Sequence, residues 1–404
     1  MSWPLKPLGE ILEQSGRHRA GDQDLPVLSI TMKHGLIDQA EKFKKRIAST
    51  DTSSYRIAYK NELVVGFPID EGVLGFQTKY PAGIVSPAYD IWKLKSETET
   101  HIPYLARYLR SAQARSLYAS RMQGAVARRR SLTKTDFLNL EIPFPPLEVQ
   151  IRIAHLLSKV EVLITQRKQH LQQLDDLLKS VFLEMFGDPV RNEKGWELTT
   201  IGQIIKVASG NGLVAKNMNS VGPYKVYGGN GVNGAHTEYM FDAPTLVIGR
   251  VGYYCGSVHI TESKSWVTDN ALYVKEFLKK TDLVFFKHLL GIHDLNKVAG
   301  RAAQPLVSGS RIYPIRTIDV PFENQKMFSA VVVKVESIKS CYQQSLNDLE
   351  SLYGALSLRA FKGGGTCQAL GGNKWRQERS KAIHFQQAVE VCILRRMSKP
   401  HLLR

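Results

Sequence analysis

Two stretches of this chain carry the same long apolar period. Positions 157, 160, 164, 167, 171, 174, 178, 181 and 185 step by three and four residues, and all but Arg167 are apolar. The series Val332, Val335, Lys339, Tyr342, Leu346, Leu349, Tyr353, Leu356 and Ala360 steps in the same way. A 3.5-residue period lines such positions along one stripe of a helix and is the seam of a short coiled coil. Leu157, Val160, Ile164, Leu171, Leu174 and Leu178 are therefore expected to pair with Val332, Val335, Leu346, Leu349 and Leu356. If a pseudo-two-fold axis relates the halves, the helices run antiparallel. Each would be about 55 Å long and act as a ruler between two globules. The other arrangement packs each helix privately on its own globule.

The two stretches are copies. Gln150–Phe186 aligns with Gln325–Phe361 without a gap at a shift of 175, with 10 of 37 positions identical, Lys159-Val160-Glu161 falling on Lys334-Val335-Glu336. Each copy follows an alternating strand that stops at a proline, Asn139-Leu-Glu-Ile-Pro143-Phe-Pro-Pro146 and Thr317-Ile-Asp-Val-Pro321-Phe322. A proline can neither continue a ladder nor let the preceding residue enter a helix, so each is a strand-to-helix corner. Weaker matches lie upstream: Trp3 with Leu8-Gly-Glu-Ile11 against Trp196 with Ile201-Gly-Gln-Ile204, and Leu63-Val-Val-Gly66 against Leu246-Val-Ile-Gly249.

Between the helices, short alternating runs such as Asp24–Ile30, Glu62–Val65, Thr245–Ile248 and Ala271–Val274 are broken by Gly, Asn and Pro. They predict short strands, with one helix per globule near Ile102–Ser120 and Lys279–Leu290. The expected fold class is α/β, in which two α/β domains alternate with two long helices pairing as an antiparallel coiled coil. Expected boundaries are 1–142 and 188–320 for the globules, 143–187 and 321–362 for the helices, and 363–404 for a basic tail.

Charge narrows the function. The formal net charge of +17 over 404 residues favours a polyanionic partner through phosphate neutralisation and counterion release. Cys255, Cys341, Cys367 and Cys392 are scattered without metal-ligand spacing, which argues against a zinc site or a disulfide framework and fits a reducing cytosol. With neither a signal-peptide core nor an 18-residue apolar run in the sequence, a cytoplasmic protein is expected.

Candidate DNA contacts come from the globules. Arg128, Arg129 and Arg130 have Asp136 as their nearest acid, so they are free for phosphate, or else form a solvated loop. The corresponding stretch of the second half holds Arg301 and Gln304. Tyr224–His236 mixes Lys225, Tyr227, Asn230 and Asn233 on glycine-rich chain that can approach a groove closely, and Lys33 and Arg250 complete the set. Lys, Asn and Arg are side chains that pair with guanine and adenine edges.

Catalytic patterns are weak. Gly229-Asn-Gly231-Val-Asn-Gly234 satisfies a dinucleotide or S-adenosylmethionine-type fingerprint, yet no helix-forming run follows it and no acid stands at the expected distance. Asp242, Glu262 and Lys264 loosely fit a Mg-dependent nuclease pattern that the other half lacks. Pro143-Phe-Pro-Pro lacks the Asn or Asp with which amino-methyltransferases hold a target amine, and there is no P-loop. No metal site and no catalytic residue are expected.

Two globules, each closed by an Ile/Val-Pro-Phe corner, a Gln and a long helix ending in Phe, resemble the specificity subunit of Type I restriction-modification enzymes. The first copy, Ile142-Pro-Phe-Pro-Pro-Leu-Glu-Val-Gln150 leading to Phe182-Leu-Glu-Met-Phe186, matches more closely; the second is shorter at its corner. The resemblance implies a non-enzymatic subunit whose two target recognition domains read a bipartite duplex DNA site. It also implies that the helices set the gap and dock two modification (methyltransferase) subunits, and that restriction subunits add translocation and cleavage. S-adenosylmethionine, ATP and Mg would belong to those partners, in adenine-N6 methylation and restriction. The rival expectation is a stand-alone sequence-specific DNA-binding protein. The tail, with eight Lys or Arg against Glu378 and Glu390, departs from the family and is expected to be a disordered or DNA-touching extension, or translation past a disrupted end.

Overall fold

The computed structural model describes residues 2–32, 34–42, 51–122, 132–214, 218, 222–299 and 306–363. The chain divides into two compact units, one of Met1–Thr165 with Asn347–Arg404, the other of Gln166–Leu346. The expected tail lies outside the described residues apart from Gly363.

The first unit is built on a four-stranded antiparallel sheet of β1 (Leu12–Gln14), β2 (Leu63–Val65), β3 (Leu74–Phe76) and β4 (Asp90–Leu94), in the order β1-β4-β2-β3. The second contains β5 (Ile205–Ser209), β6 (Leu246–Gly249), β7 (Val258–Ile260) and β8 (Ala271–Phe277), antiparallel in the order β5-β8-β6-β7. The strand order is the same in both. In each unit a strand at the start of the globule pairs with one at its end, Leu5–Pro7 with Glu141–Pro143 and Glu197–Thr200 with Arg316–Asp319. The single-turn helices Leu8–Ile11 and Ile201–Ile204 also correspond.

The helix expected over 102–120 is two helices, α1 (Ile102–Leu109) and α2 (Ala112–Arg121). The break falls where Ser111 leaves helical geometry and its hydroxyl accepts the Ala114 N–H, capping α2. The long helices are α3 (Leu147–Phe186) and α5 (Phe322–Lys362); between them, α4 (Leu283–His293) begins later than expected because Asp282 caps it, accepting from Val284 N and Phe285 N.

The glutamines of the two corners do the same work. Gln150 Oε1 accepts the N–H of His101, the residue before α1, at 2.9 Å, while Nε2 donates to Pro145 O at 2.9 Å and Glu99 O at 3.1 Å. Gln325 Oε1 accepts the N–H of Asp282, the residue before α4, at 2.8 Å, and Nε2 donates to Val320 O at 2.8 Å. Both side chains are buried, so each amide links the Pro corner, the long helix and the shorter helix packed on it in a region where unpaired groups are costly.

Within each unit the globule packs on segments of both long helices. In the first, Leu157 and Val160 share a core with Leu356, Phe361, Tyr104 and Tyr108, and Glu161 takes two bonds from Arg107 (2.6 and 3.1 Å) and one from the Tyr353 hydroxyl (2.8 Å). In the second, Phe182 and Phe186 pack against Phe285 and Phe328. Lys339 bridges Asp175 at 2.7 Å and Glu336 at 3.0 Å, and Arg167 lies over the Tyr342 ring at 4.5 Å. Pairing of Arg167 with Tyr342, Asp175 with Lys339 and Phe182 with Phe328 shows that the two segments run antiparallel within this unit. The Trp side chains match as well, Trp3 Nε1 donating to Ala360 O and Trp196 Nε1 to Phe186 O.

Candidate nucleic-acid interface

Sequence reasoning placed Lys225, Tyr227, Asn230 and Asn233 on a glycine-rich loop. The structure makes this stretch a hairpin, Tyr224–Gly228 paired with Gly231–His236 across the turn Gly229-Asn230. Gly231, at φ +88, takes the left-handed conformation that closes the turn. The fingerprint glycines therefore lie in a hairpin, Gly229 in its turn and Gly231 and Gly234 on its second strand, with no helix N-terminus behind them.

The candidates separate by burial. Tyr227 is a correction: it is 5% exposed, packs with Val247, Val267 and Ala271, and its hydroxyl accepts the Glu262 N–H, so it is a core residue. Its facing is set by pairing with Trp266–Val267, a distant strand that local pattern does not reveal. Asn230 and Asn233 are exposed. Lys225 is ion-paired with Glu262, which raises its pKa, yet both side chains stay about half exposed. Arg250 is half-buried and donates from Nη1 to Ser209 Oγ at 3.1 Å. Lys33, Arg128, Arg129, Arg130, Arg301 and Gln304 lie outside the described residues.

The hairpin turn rests on the loop that joins β6 to β7. A Cβ on Gly229 would lie 3.2 Å from Gly249 Cα, and Ser257 Oγ donates to Gly229 O. Asn230, Arg250 and the β6–β7 loop thus form one surface. That loop carries two aromatic side chains the sequence reading passed over, Tyr253 at 91% and Tyr254 at 46% exposure. In the first unit, the corresponding β2–β3 loop carries Phe67 at 61% exposure. The available signal was the repeated Leu-Val-Val/Ile-Gly strand, which ends at the base of each loop.

Two of the three residues of the loose nuclease pattern, Glu262 and Lys264, are otherwise engaged. Glu262 holds Lys225, and the Lys264 ammonium lies over the Tyr239 ring. Among the described residues, no three His, Cys, Asp or Glu side chains are grouped so as to hold a metal ion. Among the same residues, no helix is long and apolar enough to cross a membrane.

Comparison with known proteins gives a consistent result. Residues 9–175 match the family described as Type I restriction modification DNA specificity domain. The chain is 24% identical over 230 residues to the Type I restriction enzyme EcoprrI specificity subunit of Escherichia coli, covering 52% of this chain and 57% of that protein. It is 27% identical over 152 residues to the MjaIX specificity subunit of Methanocaldococcus jannaschii, covering 34% of this chain and 31% of that one. The matched region thus spans less than two thirds of either relative. In structure, the chain is similar to the S subunit of a Type I restriction-modification system from M. genitalium, with TM-score 0.54 and 16% identity over 90% of this chain and 96% of that one. A chain from a study of complex assembly and conformational transition of the type I R-M system gives TM-score 0.54 at 15% identity, covering 90% and 98%. At that identity the likeness speaks for the fold. The family match thus covers residues 9–175, and the chain has the fold of solved Type I specificity subunits.

Proposed function

We propose that this chain is the DNA sequence-specificity subunit of a Type I restriction-modification complex, in which each globule reads one block of a bipartite duplex site. The observation that carries the reading is the duplication itself. Two sheets of identical strand order each sit on leucine-rich helix through the same buried glutamine, which makes two readers from one design. A net charge of +17 supplies the attraction to phosphate.

In this reading α3 and α5 pair as an antiparallel coiled coil along their length, related by a pseudo-two-fold axis, and set the distance between the half-sites. They also present the surface on which two modification subunits dock. Methyl transfer from S-adenosylmethionine and ATP- and Mg-dependent translocation and cleavage belong to the modification and restriction partners, and this chain contributes address and spacing without a reaction of its own. The spacer segments 143–187 and 321–362 and the globules 1–142 and 188–320 are the working parts.

Footprinting the assembled complex should protect two short specified blocks separated by unspecified sequence. Exchanging residues 1–142 for those of another specificity subunit should change one block and leave the other. A single contiguous protected block would overturn the proposal, as would simultaneous change of both blocks.

A further inference from the structure

The loops that leave the central strands of the two sheets are built alike and leave aromatic rings in water. In the first unit the β2–β3 loop is closed at its base by Gly66 N donating to Val73 O at 2.8 Å; in the second the β6–β7 loop is closed by Gly249 N donating to Ser257 O at 2.8 Å. Each is braced by the helical segment behind it: Arg115 Nε, on α2, donates to Asp70 O at 2.8 Å, and Asn296 Nδ2 donates to Cys255 O at 2.9 Å. The second brace is close enough to require glycine, since a Cβ on Gly256 (φ +85) would lie 2.5 Å from Asn296 N. Against this support, Phe67 and Tyr253 stand 61% and 91% exposed.

A single exposed aromatic is unremarkable; a braced loop at the same place in two copies, each carrying an exposed ring, is a recurrent feature. The rings do not stand in apolar surroundings. Lys134, 44% exposed, lines the same recess as Phe67 and pairs with Asp90; Arg250 opens the Tyr253 loop, and Lys297, 76% exposed and paired with Asp294 at 3.5 Å, follows Asn296. Aromatic rings on loops that also carry exposed cations match a polyanion with apolar base edges better than a purely apolar protein surface.

We propose that Phe67 in one unit, and Tyr253 with Tyr254 in the other, are DNA-contacting residues that pack against bases or sugars of the duplex. They supply the part of binding that does not depend on salt. This inference rests on the DNA-reading role proposed above and adds to it the surface of each globule that meets the duplex.

The test uses the full-length chain assembled with its modification subunits and a pool of random-sequence duplexes. Wild type is first used to select its preferred sequences, and affinities on the selected duplex are then measured for Phe67→Ala and for Tyr253→Ala/Tyr254→Ala at several salt concentrations. Each variant should bind about tenfold more weakly, as loss of base–aromatic contact does, with an unchanged slope of log affinity against log salt. Lys134→Ala and Lys297→Ala should instead lower that slope by about one. Phe67→Tyr and Tyr253→Phe should bind as wild type, and equal melting temperatures show that the loops are not structural supports.

Wild-type selection of a bipartite sequence that the alanine variants bind equally well overturns the loop assignment and leaves the specificity role standing. Loss of modification-subunit binding with DNA affinity intact also overturns it, making the loops protein contacts. If wild type selects no bipartite sequence, the DNA-reading role fails and the assignment falls with it.

Discussion

Gln150 and Gln325 have few substitutes, because each must accept from one backbone N–H and donate to a backbone carbonyl five residues earlier. Leucine fills similar volume but leaves those buried groups unpaired. Gln150→Leu or Gln325→Leu should therefore lower stability by about 1–3 kcal/mol in urea unfolding, and equal midpoints would show that water replaces the amide. His288 gives a pH-dependent counterpart. Burial, with Lys287 adding repulsion, lowers its pKa to about 4, and its ring packs on Phe328. Burial also lowers the pKa of His293. Both stay neutral in the fold while the unfolded chain binds protons below about pH 6.5, so stability is full above that pH and declines as pH falls toward 4. For His288 alone the loss is about 2 kcal/mol after allowance for its partial contact with solvent. His288→Gln should flatten the fall between pH 7.5 and 5 measured by urea unfolding; an unchanged slope would assign it to other groups.

At the scale of elements, the nine positions read as a seam in each long helix are all buried or half-buried. Periodicity was enough because every turn repeats the same demand. The apparent interruptions, Arg167 and Lys339, are contacts of the second unit's helix pair: Arg167 covers Tyr342 and Lys339 joins Asp175. Sequence alone could not show that, since each needs the other segment in place. The corners were legible for a different reason, as proline rules are local. The hairpin at Tyr224–His236 was not, because its glycines and asparagines oppose strand formation and only cross-strand pairing with Trp266–Val267 overrides them. The exposed aromatics were missed because an aromatic beside an apolar strand is by default a core residue. Leu174, buried in the seam, offers a test. Proline there removes a helical hydrogen bond and costs about 3 kcal/mol. Leu174→Pro should weaken binding to a duplex carrying both half-sites more than to one carrying the first half-site alone, in a titration of each. Equal losses would count against the helix as spacer.

At the scale of the whole molecule, two copies of one design are drawn unequally from the chain. Residues 166–346 form one unit drawn from a single continuous stretch, whose core includes Phe182 and Phe186 from α3, Phe285 from α4 and Phe328 from α5. The other unit has its globule and the start of α3 at one end of the chain and the close of α5 at the other, and Phe361 supplies an aromatic face to both Tyr104 and Tyr108. Cutting the chain should therefore treat the two copies unequally. A fragment of residues 166–346 should show a single cooperative urea transition and dispersed amide resonances. A fragment of residues 1–165 would expose Leu157 and Val160, leave Trp3 Nε1 without Ala360 O and remove the Tyr353 hydroxyl from Glu161. It should unfold broadly and bind a hydrophobic dye until residues 347–363 are supplied, joined through a glycine-serine linker long enough to reach. Losing the burial of Leu356 and Phe361 alone forfeits about 3–6 kcal/mol, comparable to the stability of a small domain. Cooperative unfolding of 1–165 by itself would show that the globule is complete without α5. Failure of 166–346 to fold would show that residues outside its compact unit are needed to hold it.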